Sequence, residues 1–401
     1  MSRLLLVLGP LSRLMFRRIP FMKPPSLETS TQALAVLNEL WTHPGQAAMT
    51  PYERVEKTLA HQQPDRVPFD FWAVPEVLQA LCQFLEVQDQ EQLLQLLAVD
   101  CRVISPDYLG PQGQTLPDGT WFDPRGSHRK KIKNQYSTYE EYASYPLADA
   151  SSLADVETYS HWPKSEYFDW SGLAKKIQAV NRSTRYHIRY DVGGIFESAW
   201  GLVGLDKFLI KLVRQPQIPV AILNIITDQL IADVHQLMKH CAGLIDMVYT
   251  YDDLAFQNGL LMSPAMWRTY ILPCHQRLNQ VIKSYGLRII YHSCGAIYPL
   301  IGELIDKMGI DVLNPLQPRA KGMDMQKIKQ EFGGRIAFHG GIDLQETMPF
   351  GSVQAVQDEV RARCSILGKD GGYICTTAHY IQMDAPIRNI LALYTAPRTV
   401  E

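Results

Sequence analysis

From about residue 66 onward, short runs dense in β-branched and aromatic residues alternate with longer stretches in which apolar side chains return every three or four positions. Eight runs read as strands: 66–72, 102–104, 186–191, 245–251, 288–292, 312–314, 335–339 and 372–376. The first contains Pro68, which cannot donate into a ladder, and is the least secure of them. Helical patterns lie between the later runs, at 217–240, 263–285, 299–308, 323–331 and 352–367. Repeated strand–helix alternation predicts a parallel sheet of the α/β class. No GxGxxG opens a helix after the first strand, and eight strands suit a (β/α)8 TIM barrel better than a doubly wound sheet. Segment 105–165 breaks the rhythm with Pro, Gly, Asp and aromatics and a turn signal at Asp118-Gly119, so it reads as a hairpin insertion over the barrel mouth.

Thr50-Pro51-Tyr52-Glu53 has the form of a helix start, with Thr50 as N-cap, Pro51 in the first helical position and Glu53 completing a capping box. The structured domain is therefore expected over 49–395, behind a poorly ordered N-terminal extension over 1–48. That extension carries Arg3, Arg13, Arg17, Arg18 and Lys23 with no acidic residue before Glu28. Its apolar stretch at 4–8 is too short for a signal peptide, and Pro10 breaks any helix there.

Composition narrows the function classes. With 46% hydrophobic and 20% charged residues the chain can fill a globular core. The 39 basic residues are matched by 41 acidic ones, for a net charge of −2, and no basic cluster appears locally, so nucleic acid is excluded as an expected partner. The 7 cysteines are odd in number and scattered without CxxC pairs, which predicts a reducing, cytoplasmic location. No uncharged apolar run of about 18 residues exists, so no transmembrane segment is expected.

In a parallel barrel the reactive groups sit where strands end. The run at 186–191 ends in Asp191 with Glu197 beyond; 245–251 ends in Asp252-Asp253; 288–292 leads into His292-Ser293-Cys294-Gly295; 335–339 ends in His339-Gly340-Gly341; 372–376 contains Cys375, with His379 four residues later. In extended backbone residues i and i+2 share a face, so His292 and Cys294 can reach one metal ion together. A third ligand from Cys375 or His379 would make a three-ligand zinc site with an open position, the catalytic arrangement. The plain alternative is a buried cysteine and a satisfied histidine that happen to lie two apart. Asp252 and Asp253 are candidate catalytic carboxylates, or support for a ligand, or caps of a helix.

The ordered set Met49-Thr50-Pro51, Arg54-Val55, Pro64-Asp65-Arg66-Val67-Pro68, Asp252-Asp253, Ser263-Pro264, Pro273, His292-Ser293-Cys294-Gly295, His339-Gly340-Gly341-Ile342-Asp343, Gly371-Gly372-Tyr373-Ile374 and Pro386-Ile387-Arg388-Asn389 resembles the uroporphyrinogen decarboxylase superfamily over about residues 49–395. Within it the chain is more similar to the zinc-dependent methyltransferase branch than to the decarboxylase. That resemblance implies a zinc site at His292 and Cys294, with Cys375 expected as the third ligand for its ligand type and His379, nearer in position, kept open. It further implies a thiol substrate and a corrinoid methyl donor presented by a corrinoid protein. The arginine-rich Arg-Gln-Ala-Gly-Arg motif of true decarboxylases is replaced here by Arg66-Val67-Pro68-Phe69-Asp70-Phe71-Trp72, so the grip on a poly-acid is missing. Two other readings stay open: a decarboxylase of a tetrapyrrole or other poly-acid using Asp252 or Asp253, and a non-catalytic corrinoid- or tetrapyrrole-binding module.

Overall fold

A computed structural model describes residues 48–133 and 138–396. The extension expected over 1–48 lies outside the described residues, except for Ala48. The domain opens with α1 (Pro51–Leu59), capped as its sequence predicts: the Thr50 side chain accepts from the Glu53 backbone N–H, and Glu53 accepts from the Thr50 N–H at 2.8 Å.

Seven parallel strands follow in chain order, each hydrogen-bonded to the next: β1 (Cys101–Val103), β2 (His187–Gly194), β3 (Met247–Tyr251), β4 (Arg288–His292), β5 (Val312–Leu316), β6 (Ala337–Ile342) and β7 (Tyr373–Thr377). Helices between them give an α/β, TIM-barrel-like architecture. Interior-facing positions alternate with helix-facing ones. Trp72, Cys101, Met247, Tyr249, Ile290, Val312, Ala337 and Ile374 pack together with Val55 and Leu59 of α1, while Ile188, Val248, Tyr291, Leu313, Phe338 and Tyr373 belong to the larger cluster under the helices.

Segment 66–72 is not one of these strands, a correction with a simple cause. Pro68 has no N–H, and the segment makes an isolated parallel bridge, Phe69 with Cys375. Its backbone still bonds on both sides: Asp70 N–H donates to the Cys375 carbonyl, Cys375 N–H to the Pro68 carbonyl, and Asp100 N–H to the Phe69 carbonyl. The buried Asp100 carboxylate clamps it further, accepting from Phe69 N–H at 2.8 Å and pairing with Arg54 at 2.6 Å and Arg66 at 2.7 Å.

Two other elements differ from the pattern. The helix expected over 263–285 is interrupted by a π-helical turn at Trp267–Ile271, just before Pro273, whose missing N–H removes a regular helical bond. The insertion is a four-stranded antiparallel sheet rather than one hairpin, formed by Gln114–Thr115, Trp121–Phe122, His128–Lys133 and Thr138–Ser144. It packs on α2 (Phe196–Val203), with Arg125 bonded to Ser198 Oγ and Ser127 Oγ to the Gly201 carbonyl. Helix α3 (Gln217–Cys241) is long and apolar enough to cross a membrane by length and composition alone. Here its Ile218, Ile222, Leu223, Ile226, Leu230, Val234 and Leu237 are buried at three and four spacing, as in a core helix.

Candidate functional site

At the C-terminal ends of β4 and β7, one donor atom each from His292, Cys294 and His379 lie within 4.8 Å of one another. His292 ends β4 and faces the interior; Cys294 follows two residues later, its Sγ 3.3 Å from His292 Nε2. Tetrahedral zinc with its usual Zn–N and Zn–S lengths would hold such a pair about 3.5 Å apart. The turn needs glycine next. Gly295 has φ +87°, and a Cβ there would stand 2.6 Å from the Phe256 carbonyl oxygen. Cys294 N–H donates to Asp253 Oδ1 at 2.7 Å and Gly295 N–H to Gln317 Oε1 at 2.8 Å, which fixes the loop. The His379 ring meets that of His292 edge-on with centroids 5.5 Å apart.

Cys375 is not part of this cluster. On β7 Ile374 faces the barrel interior, so Tyr373 and Cys375 face the helices, and Cys375 lies fully buried in the outer core. The expectation that Cys375 supplies the third donor is thus corrected: its side chain faces the helices, and His379, the alternative, stands in that position.

A chain of buried groups settles which His292 nitrogen is free. Asp70 accepts hydrogen bonds from Arg189 and from Trp72 Nε1, and the Arg189 charge, with His339 and Trp72, outweighs burial to hold its pKa below the ordinary carboxylate range. An ionised Asp70 can only accept, so His339 Nε2, 3.0 Å away, carries a proton and His339 Nδ1 accepts. Asn314 therefore presents Nδ2 to His339 at 2.6 Å, and its Oδ1 faces His292 Nδ1 at 2.5 Å. That oxygen accepts the Nδ1 proton, which leaves the Nε2 lone pair of His292 directed at Cys294. Burial pushes the pKa of both His292 and His379 down to about 4, so both imidazoles are neutral at neutral pH. Two neutral imidazole nitrogens and one sulfur form a donor set suited to zinc.

The two adjacent aspartates part company. Asp252 is 0% exposed and fully engaged: it accepts from Ile195, Phe196 and Glu197 backbone N–H groups at the start of α2 and pairs with His275 at 2.6 Å. It holds α2 against the mouth and does not face the cluster. Asp253 does, with Oδ1 3.5 Å from His292 Nε2. Its backbone N–H donates to Glu197 Oε1 at 2.9 Å. Burial raises the pKa of Asp253, and burial with the charges of Asp253 and Asp252 raises that of Glu197. The Cys294 thiol is likewise pushed up by burial and then by Asp253 and Glu197. Below the cluster Trp72 packs on His292, His339, Tyr249 and Tyr380. Sequence reasoning missed Asp70, Trp72, Arg189 and Asn314; a polar residue closing the apolar run at 312–314 was the available signal for Asn314.

The sequence model of the uroporphyrinogen decarboxylase family (URO-D) matches residues 148–400. No curated protein matches the chain. Among 45 matching chains of solved structures is a methyltransferase from Methanosarcina mazei, similar at TM-score 0.62 and 16% identity over 87% of this chain and 98% of its own. At that identity the likeness speaks to the fold.

Proposed function

Since the chain belongs to the uroporphyrinogen decarboxylase family, we propose that it is a methyltransferase moving a methyl group between a corrinoid on a partner protein and a thiol activated at a zinc site. The reading takes the fold as a closed (β/α)8 barrel in which 68–70 serves as the eighth stave between β7 and β1. The observation that carries it is the convergence of His292, Cys294 and His379, with the His292 tautomer set for coordination. These three residues would hold zinc, leaving a fourth tetrahedral position for substrate. Zinc bound there supplies Lewis acidity that makes a thiol lose its proton near neutral pH.

The protein's own groups do the rest. Asn314 orients His292, Trp72 closes the floor against water, and Asp253 with Glu197 takes up the thiol proton, both having pKa values raised by burial. On this reading the thiol sulfur would supply the electron pair of the new carbon–sulfur bond, and the corrinoid, as co-substrate, would keep the pair of the broken cobalt–carbon bond. Arg189, the guanidinium beneath the cluster, is committed to Asp70, which weakens the rival reading of a poly-acid decarboxylase.

Metal analysis by mass spectrometry tests the proposal on wild type and on Cys294→Ala, His379→Ala and Cys375→Ala. About one zinc per chain is expected in wild type and Cys375→Ala, and little in the other two. Wild type should also demethylate methylcobalamin in the presence of a small thiol. Zinc retained in Cys294→Ala, or zinc-free wild type, overturns the reading and leaves the decarboxylase and the binding module, which porphyrinogen turnover tells apart.

A further inference from the structure

A cavity of about 410 Å³ lies between the inserted sheet, α2 and α3, and none of the His292, Cys294 and His379 cluster lines it. Its volume falls within the ordinary range for small-molecule sites. Its walls are largely rings: Tyr108, Trp121, Trp162, Tyr167 and Phe168. Leu202 of α2 and Ile226 and Leu230 of α3 close the apolar floor.

Two guanidiniums also line it, and neither makes an ion pair among the described residues. The Arg129 side chain is 1% exposed, and its Nε and both terminal nitrogens have no hydrogen-bond partner. The strand register explains its position: Trp121, Arg129 and Tyr142 sit directly opposite one another across three strands, and the guanidinium lies 3.9 Å over the Tyr142 ring. Leaving buried guanidinium donors without hydrogen-bond acceptors is costly, and a ring face offsets only part of that cost. Arg125, partly exposed, gives one nitrogen to Ser198 Oγ at 2.9 Å. The carboxylates in the same wall offset the pair without bonding to it: burial raises the Glu140 pKa while the nearby Arg129 charge lowers it, and the Arg129 nitrogens find no hydrogen-bond acceptor in the wall. Asp123 accepts from the Arg125 and Ser127 backbone N–H groups, and Asp233 from Ser165 and Gln229. Those carboxylates and Glu140 do disfavour a second or third negative charge on a ligand.

We propose that this cavity binds an aromatic monocarboxylate, its ring between the aromatic walls and its carboxylate on the accessible donors of Arg125, close to the guanidinium of Arg129, whose nitrogens have no hydrogen-bond partner. Planar guanidinium donors match the two oxygens of a carboxylate, whereas a neutral amide offers them a single acceptor.

Isothermal titration with 2-naphthoate and 2-naphthamide tests it on the full chain. The acid should bind wild type at least about tenfold tighter than the amide, a difference near 1.4 kcal/mol. Arg125→Gln and Arg129→Gln should each erase that preference while zinc content stays at the wild-type level. Equal affinity for acid and amide in wild type, no binding of either at millimolar concentration, or a preference surviving both substitutions would overturn the proposal.

Discussion

Replacing Asn314 by leucine tests the chain of hydrogen bonds that leaves His292 Nε2 without a proton, and with it the proposed zinc site. Asn314 is fully buried and serves two imidazoles, accepting from His292 Nδ1 and donating to His339 Nδ1. In Asn314→Leu both nitrogens lose their partner in positions that water does not reach, since His292 is 2% and His339 0% exposed. Each of the two orphaned groups costs about 1–3 kcal/mol, and the added apolar burial returns about 1 kcal/mol, so a net loss of about 1–5 kcal/mol is expected. Denaturant unfolding of the metal-free protein reads this directly. Zinc affinity, measured by competition with a chromophoric chelator, should fall about 10- to 100-fold, as when a hydrogen-bond partner of a ligating histidine is removed. Asn314→Asp separates the two effects: it keeps an acceptor for His292 and should retain most zinc affinity, yet it cannot donate to His339 and should still destabilise the fold. Wild-type zinc affinity in Asn314→Leu would refute the tautomer argument.

Glu56 of α1 should support acid stability. It pairs with Arg288 and His187 at the N-terminal ends of β4 and β2, and despite burial these partners lower its pKa from 4.5 to about 2. The carboxylate is favoured in the folded state, so its contribution is fully present above pH 4.5 and is lost as pH falls through about 2. Glu56→Gln is expected to cost about 1–2 kcal/mol at pH 7, discounted for a group that still meets solvent, and nothing at the acid limit; a pH-independent difference by chemical denaturation would contradict this. Asp252→Ala uncaps α2 and strands His275, for a loss of about 3–5 kcal/mol in the same assay. Little loss there would show that the start of α2 has other partners.

Strand identity was legible because parallel strands buried on both faces read as short apolar runs, and seven of eight such runs became strands of the sheet. That same property hid the direction each side chain faces. Tyr373-Ile374-Cys375-Thr376-Thr377 is buried throughout, with no polar alternation to mark the inward face, so Cys375 looked as available as His379. Segment 66–72 was misread because its β-rich composition outweighed Pro68. The fold holds it through the Asp100 carboxylate, a contact that no local pattern announces. Adjacent aspartates were inseparable for a related reason: Asp252 and Asp253 differ only in whether they turn toward α2 or toward Cys294.

What His292 can do depends on residues remote from it in the chain. Asp70 and His339 lie 269 positions apart, and His339, Asn314 and His292 come from β6, β5 and β4. A His-x-Cys pair at a strand end says that two donors can meet; it does not say which nitrogen carries a proton. If Asn314 were absent, His292 could turn its Nε2 proton toward Cys294 and lose the lone pair that a metal needs. If Asp70 were neutral, His339 could adopt the other tautomer and Asn314 could reverse, with the same result at His292. The Arg189–Asp70 pair therefore helps set the tautomer of His292 although it touches none of the three donors of the cluster. Among chains with this fold, the residues equivalent to Asp70 and Asn314 should separate metal users from the rest more sharply than the histidine and cysteine do.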